Sequence, residues 1–289
     1  MSVALQEPSA KSANLAGTRV NTVPAGNEAP TSLWGNRNLI RLMVQRDFVG
    51  RYRGSMLGAL WPLINPLGHL ALYTFLFSVV LKVKFGNDQG TGNFALYLMA
   101  GLLPWSCLAE SLSRSTTVIL ESPNLVKRVV FPLQILPVVL VTSSFLSELV
   151  AFVILFSATL LCLHHVNLTI VFLPLIVVAQ LLFTGGLSCL LASLGVFVRD
   201  FRHFMSLGLS AWMYATPIVY PASALPEKLQ FLIWINPMAG IVTDYRRVLL
   251  EGLAPNWPVF AAYATVSICV WCVGYWFFQK TKKSFADVM

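Results

Sequence analysis

"LQILPVVLVTSSFLSELVAFVILFSATLLCL", residues 133–163, holds a single charged side chain, Glu148. About 20 helical residues cross a hydrocarbon core of about 30 Å. This run exceeds that length, so it spans a bilayer with tilt or projects beyond it. Glu148 stands near its middle without a local partner. A carboxyl group there is costly in lipid and has to face protein or water. A packing hydrogen bond and a channel role both meet that requirement, and the sequence leaves the two open.

Five further apolar runs lie at roughly 58–81, 94–117, 168–198, 203–221 and 257–279. Hydrophobic residues make up 56% of the chain and charged residues 11%, against about 25% charged in soluble domains. The expected fold is all-α, a polytopic membrane protein with six transmembrane helices. Between the fifth and sixth runs, "PASALPEKLQFLIWINPMAGIVTDYRRVLLEG" (221–252) splits at Asn236-Pro237 into two half-apolar patterns. Each is too short to span, so short external re-entrant or interfacial helices are expected over 222–256.

Ahead of the first run, residues 36–52 place Leu39, Ile40, Met43, Val44 and Phe48 near one helical face, with Arg37, Arg41 and Arg51 on much of the rest. That pattern predicts an amphipathic helix in the headgroup plane, within 33–56. Gly50, Gly54 and Gly58 offer a bend, and their spacing of four suits close backbone approach. Residues 1–32 are rich in Ala, Ser, Asn, Pro and Thr and are expected to form a disordered tail. The six-span domain then covers 57–280, with a short tail at 281–289.

Basic residues orient the chain. With the N-terminus inside, 15 of the 20 Lys and Arg residues fall on the cytoplasmic side, and 5 (Lys82, Lys84, Lys228, Arg246, Arg247) on the other. Both termini are therefore expected in the cytoplasm. Basic clusters at the mouths of apolar runs argue for a membrane partner and against a nucleic acid. Glu110 and Arg114, four apart on one helical side, predict an ion pair.

An energy source is missing. No G-x-x-x-x-G-K-[ST] phosphate loop occurs, Glu110 and Glu148 are the only buried carboxylate candidates, and the halves do not repeat in hydropathy. The chain is expected to work with a partner that carries the motor. Cys107, Cys162, Cys189, Cys269 and Cys272 sit in or beside apolar spans, so no disulfide framework is implied. Cys269-x-x-Cys272 has zinc or redox spacing but no second ligand pair nearby. His164-His165 reads as surface.

The segment 38–78 carries Arg46-Asp47, Arg51-Tyr52-Arg53, Leu57-Gly58, Trp61 and Asn65-Pro66 in order. This resembles the entry segment of the polysaccharide-exporting ABC transporter permeases, which export O-antigen, capsule and teichoic acid chains. "ESPNLVKRVVFPLQILP" (121–137) is similar to that family's cytoplasmic loop between the second and third spans. "RDFRHFMSLGLSAWMYATPIVYP" (199–221) and "INPMAGIVTDYRRVLLEG" (235–252) are similar to its fifth span and external segment. The resemblance covers about 36–280.

It implies a non-enzymatic transport subunit in a bacterial inner membrane. The expected assembly is a homodimer with two copies of a separate ATP-binding subunit, so this chain needs no cofactor of its own. The implied cargo is a lipid-linked polysaccharide, with O-antigen ranked ahead of capsule and teichoic acid. A drug or small-lipid exporter is the alternative within the same architecture. A membrane glycosyltransferase is the rival class, and the scattered single acids of the loops speak against it.

Several residues are candidates for that work. Glu121, Pro123, Asn124, Leu125, Val126 and Lys127 resemble the family's coupling helix, a short helix seated in a cleft of the ATPase. An ordinary loop of positive charges is the plainer reading. Arg46, Arg51 and Arg53 suit phosphate headgroup recognition through forked guanidinium groups, anchoring on anionic lipid, or contact with the ATPase. Sugar rings stack on aromatic faces, so Trp61, Tyr73, Phe77, Tyr97, Trp105, Trp212 and Tyr214 join Glu148 as channel candidates. Interfacial belts also account for aromatics in such a chain.

Overall fold

A computed structural model describes residues 33–51, 56–80, 91–126, 131–163, 167–198, 200–220, 226, 228 and 230–288. Every regular element among them is helical. The expected 1–32 tail, Tyr52, Arg53, Gly54, Lys127 and the His164-His165 turn lie outside the described residues.

Helix α1 (Arg37–Gly50) lays its apolar face on the beginning of α5 (Ile135–Leu163). Val44 is buried against Ile135 and Val139, with Leu39, Ile40, Met43 and Leu146 packed around them. The stripe read from the sequence thus serves a span of the same chain, while Leu42 and Val49 stay exposed. Gly54 lies outside the described residues, and within this chain a Cβ added to Gly50 or Gly58 meets nothing within 4 Å. Gly58 instead adopts a φ of +42°, so its freedom turns the chain rather than admitting a neighbour.

The first apolar run is helical but not uniform. It comprises a 3₁₀ turn (Gly58–Leu60), α2 (Trp61–Thr74) and a π-helical turn (Phe75–Val80), with Pro66 inside α2. Proline removes a backbone donor and clashes with the preceding turn, which interrupts a helix. Four stretches are single helices long and apolar enough to cross a membrane: Phe94–Ser115, Ile135–Leu161, Leu168–Phe197 and Trp257–Ser284. They belong to α3 (Thr91–Ser115), α5, α6 (Leu173–Phe197, entered through a 3₁₀ turn at Leu168–Phe172) and α10 (Trp257–Thr281). At 29 residues, α5 is about 43 Å long at 1.5 Å per residue.

Two of the six expected spans depart from that form. The first is the broken α2 run. The fifth, α7 (Phe201–Ala215), has 15 residues, about 22 Å, which falls short of a hydrocarbon core. Its end is dictated locally, since Thr216 precedes Pro217 and is forced to extended backbone (φ −98°, ψ 133°). The chain is a helical polytopic membrane protein with four long spans among the described residues and two shorter or interrupted apolar segments.

Helices α6 and α10 cross with their backbones in close contact. A Cβ on Gly186 would lie 2.5 Å from the Val270 carbonyl, one on Gly274 would overlap the Gly186 carbonyl, and Gly185 faces the Trp271 ring. Without a hydrophobic drive between helices in lipid, such backbone contact is how they associate. The rest of α10 is largely outward, with Ile268, Val273 and Trp276 exposed.

At one end of the bundle, α8 (Phe231–Ile235) precedes α9 (Pro237–Arg246), which runs into a π-helical turn (Arg247–Glu251) closed by Gly252 at φ +67°. Helix α9 is wedged among α3, α6 and α10, with Met238, Ala239, Ile241 and Val242 fully buried. The Asn236-Pro237 break starts it. The Asn236 Oδ1 accepts from the Met238 N–H, and Pro237 supplies a first residue with no N–H to satisfy. At the opposite end sits α4 (Pro123–Val126). A 3₁₀ turn (Lys282–Ser284) and α11 (Phe285–Val288) end the chain. Ile119, Val126, Leu133, Val196, Phe278 and Phe285 form one buried cluster there.

Candidate functional site

A cavity of about 490 Å³ opens between α2, α3, α5 and α7. Its lining is mainly apolar, with Asn65, His69, Glu110 and Glu148 as the polar groups that matter here. Trp105 also lines it, packing edge-on against Trp212 at 5.9 Å.

Below the cavity, toward the α4 end, α1 is tied to α3 by charge. Arg114 presents both guanidinium nitrogens to Asp47, at 3.0 and 2.5 Å. Arg51 donates to Asp47 at 3.0 Å and also to Glu110. Burial alone raises the Asp47 pKa. Hydrogen bonds from Arg114 and Ser143, with the charges of Arg114 and Arg51, outweigh that, so the carboxyl titrates below its usual value. The expected Glu110–Arg114 pair is present but long, at 3.9 Å. The closer partner of Arg114 comes from α1, which helical spacing within α3 does not reveal.

The three basic candidates therefore separate. Arg51 is 12% exposed and turned inward onto two carboxylates. Arg46 is exposed on α1. Arg53 lies outside the described residues.

In the α4 segment, Glu121, Pro123 and Asn124 are exposed, Leu125 is half-buried, and Val126 is buried in the cluster of α5, α6 and α10 ends. A four-residue helix thus points its first residues away from the bundle while its last anchors it.

Among the aromatic candidates, Tyr97 and Trp212 make specific contacts within the bundle. Tyr97 lies under the Arg246 guanidinium, 3.7 Å from its carbon to the ring centre. The Trp212 Nε1 donates to Asn236 Oδ1 at 2.9 Å. Tyr214 is exposed and Trp61 half-buried, whereas the side chains of Tyr73 and Phe77 lie outside the described residues. Glu148, 6% exposed, touches Gln180 of α6 and Tyr245 of α9.

Arg246 was counted as an external charge, yet it is 3% exposed. Its guanidinium donates to the carbonyls of Tyr97 (3.1 Å), Pro217 (2.6 Å) and Ile218 (2.6 Å). The Pro217 and Ile218 carbonyls belong to the unwound end of α7, so one cation satisfies backbone that helix breaking left without helical donors, and it adds a further bond to the Tyr97 carbonyl of α3. Next to it, Asp244 accepts from the Tyr263 hydroxyl (2.9 Å) and the Asn256 N–H (3.0 Å). Asn236 Nδ2 donates to Thr216 Oγ1 at 2.8 Å. These contacts fasten α9 to α3, to the unwound end of α7 and to the start of α10.

The model of the ABC-2 type transporter family matches residues 38–250. The chain belongs to this family. Among curated proteins, the O-antigen export system permease protein RfbA of Myxococcus xanthus is 30% identical over 88% of this chain and 96% of its own length. Two permeases of the same name from Klebsiella pneumoniae are 30% and 28% identical, each over 87% of this chain and 95% of their own length. The ABC-2 match runs from α1 to the π turn after α9, so it contains every contact described above except those to Asn256, α10 and α11.

The sequence of this ABC-2 chain marked Asn236 through its Asn-Pro break but not Gln180, Asp244, Tyr245 or Arg246 as structural determinants. Gln180 carried a usable signal, being the single amide in the apolar run 168–198. For Arg246 there was none, because counting basic residues treats every one of them as exposed.

Proposed function

We propose that this chain is the membrane-spanning subunit of an ABC exporter that moves a lipid-linked polysaccharide, O-antigen by preference, outward across a bacterial inner membrane. The observation that carries the reading is the match to permeases named for O-antigen export along nearly their whole length. Two copies pair with two copies of a separate ATPase, which binds the ATP. Both termini and α4 face the cytoplasm, and the 15-to-5 division of basic residues supports that orientation.

Within this reading, Glu121, Pro123, Asn124, Leu125, Val126 and Lys127 meet the ATPase. The outward Pro123 and Asn124 and the buried Val126 suit a contact that has to transmit motion. Arg46 serves the headgroup region. The cavity bounded by Trp105 and Glu148 lies along the route, together with the exposed Tyr214.

The test is complementation. A strain lacking its O-antigen export permease, given this chain with its cognate ATPase, should regain surface O-antigen, and a Pro123→Gly, Asn124→Gly variant should not. Accumulation of undecorated surface with both proteins inserted and bound to each other would overturn the cargo assignment. ATP hydrolysis by the chain alone would overturn the division of labour.

A further inference from the structure

Glu148, Gln180 and Tyr245 form a closed triangle inside the bundle. The Tyr245 hydroxyl oxygen is 3.0 Å from Glu148 Oε1 and 2.5 Å from Gln180 Oε1, and Gln180 Nε2 is 2.8 Å from Glu148 Oε2. All three side chains are buried. No guanidinium or ammonium group pairs with Glu148 among the described residues. The groups facing it are the Cys107 thiol from α3, Gln180 from α6 and Tyr245 from α9. Tyr263 and Asp244 lie behind Tyr245, and Glu110 and His69 look across the cavity.

Proton counting decides the state of this triangle. Two of its three sides join oxygen to oxygen, and a phenol has one proton to give. With Glu148 ionised, one oxygen–oxygen contact at hydrogen-bond distance holds no proton and is repulsive. With Glu148 protonated, the carboxyl O–H donates to Tyr245, Tyr245 donates to Gln180 Oε1, and Gln180 Nε2–H donates to Glu148 Oε2. Every side is then a hydrogen bond.

Exchanging the oxygen and nitrogen of the Gln180 amide does not change the result. The protonated carboxyl then donates to the amide oxygen, the amide donates to Tyr245, and Tyr245 donates to Glu148. An ionised Glu148 again leaves one oxygen pair bare. The Cys107 thiol cannot fill that gap, because the bare contact lies between oxygens already in direct reach of each other.

We propose that Glu148 is a resident proton-binding site. It holds one proton as a neutral carboxylic acid, and that proton closes a ring tying the long spans α5 and α6 to the external helix α9. Glu148 also lines the cavity, so the cavity is the path by which the proton enters and leaves. The assignment is independent of the cargo.

Infrared difference spectra of the full chain in lipid nanodiscs at neutral pH test it, comparing wild type with Glu148→Gln. The expected difference is a single protonated-carboxyl C=O band, present in wild type, absent in the variant and shifted in D₂O. A glutamine amide reproduces the ring, donating to Tyr245 and accepting from Gln180. Glu148→Gln should therefore melt within about 2 °C of wild type, while Glu148→Ala and Tyr245→Phe melt distinctly lower. Loss of carboxylate bands only, or a Glu148→Gln variant as unstable as Glu148→Ala, overturns the proposal.

Discussion

The ion pair between α1 and α3 can be measured as a coupling energy. Asp47→Ala, Arg114→Ala and the double variant form a cycle in which the pairwise term separates from the loss of either side chain. Arg114 makes two charged hydrogen bonds to Asp47, at 3.0 and 2.5 Å. Each such bond contributes about 1.5–3 kcal/mol when desolvated. The side chains are 33% and 21% exposed, so solvent screens much of that sum. Arg51 and Glu110 also remain to pair with the survivors of each single variant. A coupling of about 1–2 kcal/mol is expected after both reductions. The assay is reversible unfolding in mixed micelles, with protease protection of α1 as a second reading. A coupling below about 0.3 kcal/mol, within the error of additivity, would refute the view that charge fastens α1 to the spans.

The remaining predictions concern single sites. Arg246→Ala takes the guanidinium donor from the carbonyls of Pro217 and Ile218, beyond the end of α7, so it should destabilise the purified chain by about 2 kcal/mol or more; a loss of stability below about 1 kcal/mol would contradict the assignment. Gly186→Ala sets a methyl group 2.5 Å from the Val270 carbonyl and should cost about 1–3 kcal/mol by overpacking, visible as a lowered melting midpoint, whereas unchanged melting would mean that α6 and α10 separate freely. Asp47 has a lowered pKa, so its stabilisation is fully present above the usual value of 3.8 and fades as pH falls below it; an acid titration of stability should be shallower for Asp47→Asn than for wild type.

Long apolar runs announced α3, α5, α6 and α10, because about 20 consecutive apolar residues have few other uses. The fifth run was legible as apolar but not as short, since Thr216-Pro217 sets its end through local backbone sterics rather than through hydropathy. Local pairing reached Glu110–Arg114 and stopped there. Asp47 is 67 residues from Arg114 and Tyr245 is 97 from Glu148, distances at which periodicity carries no information. The need for partners was nonetheless readable, because a lone carboxyl in the middle of an apolar run has to find them. The α1 stripe was legible as an apolar helical face, but its partner on α5 was not, since amphipathicity alone does not say which neighbour a face meets.

The cluster at the α4 end has a mechanical meaning. Val126 is wedged into the same oily knot as Leu133 at the start of α5, Val196 near the end of α6, and Phe278 and Phe285 at the end of the chain. Close-packed side chains compress little and pass strain on to their neighbours. A thrust on Pro123 or Asn124 therefore reaches the feet of three long helices together, as through a stiff floor plate. Helix α1 touches that plate through Met43 and is otherwise joined to the spans by an α5 seam and a few charges. The cavity lined by α2, α3, α5 and α7 lies on this more lightly fastened side of the molecule.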